Sequence, residues 1–192
     1  MLTLEFYDND TVMYELTSNA EPPQSVRGVG WEWKPQDQPF DWTKIPVKAA
    51  PGATAKLRQS QLKLLIREFT ASEEFNDQVH QLRVLPRPTY EYEDASRGIL
   101  SGAVFVIANG TNAEILMLVE ARAKTDEEPP HWVAGFSRLA TASLDVKYAK
   151  DEFWSSPNVA EYNPNRPPRA AEAYFSQGDI LDQDKREAFQ RR

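Results

Sequence analysis

Leu2, Leu4 and Phe6 alternate with polar residues, and Val12, Tyr14 and Leu16 do the same. Alternation marks a half-buried strand, because successive side chains point to opposite faces. Asp8-Asn9-Asp10 between the two runs is a turn former, so 1–17 reads as an N-terminal β-hairpin. The period changes further on. Leu62, Leu65, Ile66 and Phe69 recur at helical spacing, and Thr54 can cap the start, which predicts a helix over 54–69. Leu57 and Leu64 fall to one side of that face and widen it. Lys56, Lys63 and Arg67 lie on the outer side. Arg58 falls near the apolar face, where its stem can pack while its head reaches water. Thr70 and Glu73 have capping-box spacing, which predicts a second helical turn over 70–75.

Strand-sized apolar or aromatic runs follow at 81–85, 89–92, 100–108, 114–122, 132–139, 143–148 and 152–154. Asn109-Gly110 between two of them is a strong hairpin signal, since both residues tolerate positive φ. Connections this short cannot make parallel crossovers, so the order is antiparallel. The expected fold is α+β: an antiparallel sheet of about four to six strands packed on one main helix. Cystatin-like and nuclear-transport-factor-like folds share that arrangement, an analogy that carries no function. Residues 18–53 are rich in Pro, Gly and Trp and read as a long irregular loop. On this reading 1–155 is one domain and 156–192 a proline-rich tail, with short helical segments over 170–175 and 180–190.

Composition narrows the chemistry. The chain has 192 residues, no cysteine, two histidines and a net charge of −7. Disulfides and thiolate metal sites within this chain are ruled out, and a metal site would rest largely on carboxylates. No metal or cofactor is expected. The acidic balance disfavours nucleic acid and anionic membranes as partners. Basic groups at Arg166 with Arg169, Lys185-Arg186 and Arg191-Arg192 read as a solvated tail. No apolar run approaches the ~18 residues of a membrane span. The N-terminus lacks the basic start and apolar core of a signal peptide, which points to the cytoplasm.

The strand at 114–122 carries the main candidate site. Glu114, Leu116, Leu118, Glu120 and Arg122 share one face by alternation. On the next run Trp132, Ala134, Phe136 and Arg138 share a face, and antiparallel pairing can bring Arg138 toward Glu120. Glu120, Arg122 and Arg138, with Trp132 as an apolar wall, would suit a small anionic or sugar-like ligand. The competing reading is a structural ion-pair network. Trp31, Trp33 and Trp42 sit within one Pro-rich loop, Trp31 and Trp33 sharing a face if extended, and offer a stacking platform or else plug the open end of the core. His131 and His80 lack an evident carboxylate or nucleophile partner. Ser137 and Ser143 have no nucleophile-elbow context, and Arg27-Gly-Val-Gly-Trp lacks the setting of a phosphate loop.

The runs LRVLPRPTY at 82–90, GAVFVIANGT at 102–111, EILMLVEAR at 114–122, WVAGFSR at 132–138 and EFW at 152–154 together resemble an uncharacterised domain type of planctomycete bacteria. The resemblance spans roughly 57–155 and brings no activity with it. It implies that Arg83, Glu120, Arg122, Arg138 and Trp154 belong to one constellation. The function expected is a non-catalytic binding or accessory module, with a small polar ligand or a protein as partner. Two alternatives stand beside it: an enzyme, such as a hydrolase, acting through Glu120 or His131, and a structural module that docks on a partner.

Overall fold

A computed structural model describes residues 40–123 and 129–158, and the backbone of five strands outside that range. In chain order the elements are β1 (Leu2–Tyr7), β2 (Thr11–Thr17), β3 (Val26–Gly28), β4 (Trp31–Trp33), β5 (Thr43–Lys44), α1 (Ala55–Leu65), β6 (Phe69–Phe75), β7 (Gln78–Val84), β8 (Tyr90–Asp94), β9 (Ile99–Asn109), β10 (Asn112–Arg122), β11 (His131–Arg138), β12 (Ser143–Tyr148), β13 (Asp151–Ser156) and β14 (Glu172–Gly178). They fall into two units, one of Met1–Pro39 with Ala160–Arg192, the other of Phe40–Val159.

In the first unit β1 pairs antiparallel with β2, Leu2 opposite Leu16. β14 pairs with the other edge of β2, Phe175 opposite Tyr14. A helical segment is expected over 170–175, yet that stretch enters a strand: cross-strand partners outweigh weak local helix preference. The segment over 180–190 lies outside the described residues, as do the basic groups of the tail. β3 and β4 form a separate antiparallel pair within the stretch expected to be irregular.

The second unit is built on a nine-stranded antiparallel sheet in the order β13-β12-β6-β7-β9-β10-β11-β5, with β8 also paired to β9. The sheet curls until its far parts meet. The Trp154 ring of β13 stacks on Phe136 of β11 at 5.4 Å, and Arg138 of β11 donates from Nη1 to Ser156 Oγ of β13 at 3.0 Å. Phe69, Tyr148 and Phe153 pack edge-on beside them, with centroids 4.9 to 6.0 Å apart. Ring pairs of this kind contribute about 0.5–1.5 kcal/mol each beyond their burial. Ile115, Met117, Val119, Ala121, Phe105, Ile107, Leu144 and Val146 point into the space so enclosed.

This overturns the expected α+β sheet of four to six strands on a main helix. The protein is mostly sheet, nearly closed into a barrel, with one α-helix among the described residues. Two local features explain the difference. Residues 70–75 belong to a strand rather than a helical turn: Phe69, Ala71 and Glu73 are buried alternately, and β6 pairs with both β7 and β12. Ladder partners on both edges for Ala71, Ser72, Glu73 and Glu74 outweigh one capping box. The helix is also shorter than its periodicity suggests. It ends at Leu65, passes through a 3-10 turn at Ile66–Glu68 and becomes β6 at Phe69. Leu62, Leu65, Ile66 and Phe69 are all buried, but Leu57 and Leu64 are 55% and 62% exposed. The helix covers too little of the sheet to be its partner layer, and the sheet covers itself by curling.

The head of Arg58 is largely withdrawn from water. It is buried, and its guanidinium donates to Leu100 O at 2.9 Å, Ser101 Oγ at 3.0 Å, Gly52 O at 3.2 Å and Ala53 O at 3.3 Å. It pins α1 and the segment before it to β9. The hairpin turns also refine the sequence reading. Asn109 pairs with Asn112, so the loop is Gly110-Thr111, with positive φ at Gly110 alone, as a II′ turn requires. The β6–β7 and β12–β13 hairpins turn on Asn76-Asp77 and Ala149-Lys150, with positive φ at all four residues. Among the described residues no helix is long and apolar enough to cross a membrane.

The last of these turns carries the strain of left-handed backbone without glycine or asparagine. Replacing Ala149 with Asn and Lys150 with Gly together is expected to stabilise the protein by about 1 kcal/mol and to raise Tm by about 2–4 °C, measured by calorimetry.

Candidate functional site

β10 is buried along both faces. Its partners across the ladder are Gly102 of β9 and Val133 of β11 opposite Glu120, and Val104 and Gly135 opposite Leu118. These residues form the outer face of the sheet, away from the barrel interior. Two glycines there make room for aromatic rings. A Cβ on Gly102 would lie 2.5 Å from the Tyr92 ring, and one on Gly135 would lie 3.1 Å from the Trp42 ring and from Phe40. Tyr92 and Trp42 thus pack over bare backbone, one on each side of β10.

Glu120 sits beneath them with no exposed surface. Its Oε1 accepts from the Tyr92 hydroxyl at 2.5 Å, and its Oε2 accepts from Arg122 Nε at 2.6 Å. A buried carboxylate is tolerated only when so paired. Arg122 follows two residues later on the same face, with its guanidinium carbon 4.0 Å from the Trp42 ring centroid. One side of that group is therefore fixed by an ion pair and a cation–π contact. Its side chain remains 23% exposed, and its two terminal nitrogens have no partner among the described residues. Burial pushes the Tyr92 phenol well above its ordinary value, and the neighbouring Glu120 charge adds to that.

The residues singled out in the sequence separate into distinct places. Glu120 and Arg122 meet. Trp132 pairs with Ala121 and faces the barrel core, on the opposite side of the sheet from Glu120. Its indole Nε1 is buried without a partner among the described residues. Arg138 pairs with Ile115 and also leaves the outer face. It donates to Ala140 O, Ala142 O, Ser156 Oγ and Pro157 O at 2.6 to 3.0 Å, tying the β11–β12 turn to the end of β13. Trp154 stacks on Phe136 near that tie, whereas Arg83 donates to Gly110 O at the β9–β10 turn. The five residues grouped by the resemblance thus occupy three separate regions. His131 stands opposite Arg122 in register, its Nδ1 3.2 Å from Pro129 O. His80 lies on β7 opposite Glu73, whose carboxylate accepts from Asn109 Nδ2 at 2.7 Å. Trp31 and Trp33 are on β4, and their side chains lie outside the described residues.

Tyr92 and Trp42 were the participants that sequence reasoning did not assign to the site. The signal for them was present in Gly102 and Gly135. A glycine inside an apolar strand marks close approach by another group, and aromatic residues lay within nearby segments. Among the described residues no group of three or more His, Asp or Glu side chains is placed to hold a metal ion. No family model, curated protein or solved structure matches the chain.

Tyr92→Phe would leave Glu120 Oε1 buried without its donor, at a cost of about 1–3 kcal/mol near neutral pH. An acid whose pKa rises on folding contributes stability that is complete below its unfolded value and is lost as pH rises from there, which for tyrosine begins at about pH 10. Urea denaturation at about pH 8 and about pH 11 is therefore expected to show a smaller alkaline loss in Tyr92→Phe than in the parent.

Proposed function

We propose that the unit spanning Phe40–Val159 is a non-catalytic binding module that takes a small polar ligand through an anionic oxygen at Arg122. One observation carries this reading. The Arg122 guanidinium is held by a fully buried carboxylate and a tryptophan ring, while its two terminal nitrogens remain without a partner among the described residues. A planar fork fixed in orientation before the ligand arrives has little entropy left to lose on binding. The exposed part of Trp42 and the adjacent His131 would border the ligand.

Glu120 already offsets the arginine charge, so directed N–H donors rather than net charge would govern recognition. A bare anion would then bind weakly, on the order of 1 mM. Catalysis through Glu120 has less support. A general acid or base must exchange a proton with substrate or water, and both oxygens of this carboxylate are taken by internal donors.

The test is an NMR titration with inorganic phosphate, acetate and benzoate that follows the backbone amides of Trp42, position 122 and His131 in the parent and the variants, and the Arg122 Nε–Hε signal in the parent. Saturable shifts are expected, strongest for benzoate because its ring can meet Trp42. Arg122→Gln should abolish them. Arg122→Lys should weaken them about tenfold despite keeping the charge, since the fork is lost. A signal unmoved by all three anions at about 100 mM, or shifts that survive in Arg122→Gln, would sink the proposal.

A further inference from the structure

A half-open recess of about 320 Å³ lies between α1 and β8. Ala55, Gln59 and Leu62 line it from the helix, Glu91, Tyr92 and Glu93 from β8, and Ser101 and Gly102 from β9. Ala55, Gln59 and Leu62 follow helical spacing along one face, so the recess runs for about 10 Å beside the helix. The volume is at the small end of ligand sites, which run from about 300 to 1,000 Å³.

Its polar groups are incompletely used. Gln59 and Glu91 have no side-chain partner among the described residues. Ser101 Oγ accepts from Arg58 Nε at 3.0 Å, which leaves its own proton available to donate. Glu93 has Arg58 at 3.7 Å, and Arg58 spends its other donors on backbone carbonyls. The lining therefore carries two carboxylates, of which Glu93 has the non-lining Arg58 at 3.7 Å, a surplus of negative charge centred on Glu91. That surplus matches a single ammonium group and opposes an anion. Beyond the charge, the walls offer an amide and a hydroxyl as hydrogen-bonding partners, with Ala55 and Leu62 as apolar contact.

We infer that the recess between α1 and β8 is a binding site for a small hydroxylated primary amine, of the size and class of an amino sugar, with its ammonium on Glu91 and its hydroxyls toward Gln59 and Ser101. This site is independent of the anion site at Arg122. It differs in charge and in its α1 wall, and the two sites meet only at Tyr92 and Gly102.

The test titrates the full chain with glucosamine, and with glucose and N-acetylglucosamine as neutral counterparts, followed by calorimetry and by amide shifts. Saturable binding is expected for glucosamine, with shifts at Gln59, Glu91 and Ser101. The two neutral sugars should bind at least about fivefold more weakly. Glu91→Gln should weaken glucosamine by about fivefold or more and leave the phosphate response at Arg122 unchanged. Both Glu91 and Gln59 are exposed, so Glu91→Gln and Gln59→Ala should keep the parent Tm, and a melting curve checks that the variants fold. No saturable response to glucosamine would overturn the inference. Equal binding of the neutral sugars, or full binding by both variants, would overturn it as well.

Discussion

β10 needs cover on both faces, and most of the described structure follows from that need. Its residues from Glu114 to Ala121 are buried or nearly so, including both the Leu116–Leu118–Glu120 side and the Ile115–Met117–Val119 side. A sheet that packs on a single helix satisfies one such face. Here the inner face is closed by the sheet itself, which curls until β13 reaches β11 through Trp154, Phe136 and Arg138. The outer face is closed piecemeal: Leu85 and Leu139 near Leu116, Tyr92 over Gly102, and Phe40 with Trp42 over Gly135.

That piecemeal cover creates the chemistry. Placing Glu120 under Tyr92 and Trp42 removes it from water, and removal from water obliges it to find two donors. Tyr92 and Arg122 supply them. The result ties β8 to β10 by a hydrogen bond between side chains distant in sequence, and it leaves Arg122 stiff at the edge of the buried region. The same carboxylate that suggests catalysis in the sequence is, in the fold, the group that orients its neighbour. Arg138 illustrates the opposite outcome. Equal in charge to Arg122, it spends its donors on Ser156 Oγ and backbone carbonyls that hold the barrel closed.

Parity explains why one cluster was legible and the other was not. Glu120 and Arg122 lie two apart on one strand, so alternation alone puts them together. Trp132 and Arg138 lie on a different strand, and their face depends on register. The register pairs Glu120 with Val133, and this single step moves Trp132 and Arg138 to the other side of the sheet. No local pattern distinguishes the two registers, because β11 is buried on both sides and its apolar residues do not alternate with polar ones. Arg58 is a related case. Its helical phase is legible, but besides Ser101 Oγ its acceptors are carbonyls of 52, 53 and 100, which have no signature in side-chain sequence.

The sequence by itself determined the strands from β9 to β13, their antiparallel connections and the turn at Gly110, because alternation, short loops and glycine act through neighbours along the chain. It also determined the Glu120–Arg122 pair. Only the tertiary structure decided that residues 69–75 are strand, that the sheet closes on itself rather than on a helix, and that Tyr92 and Trp42 complete the surroundings of Glu120. Those outcomes rest on ladder partners and ring contacts between residues far apart in sequence. Their free energy outweighs the local preference of any single segment, and local preference is what a linear pattern can reveal.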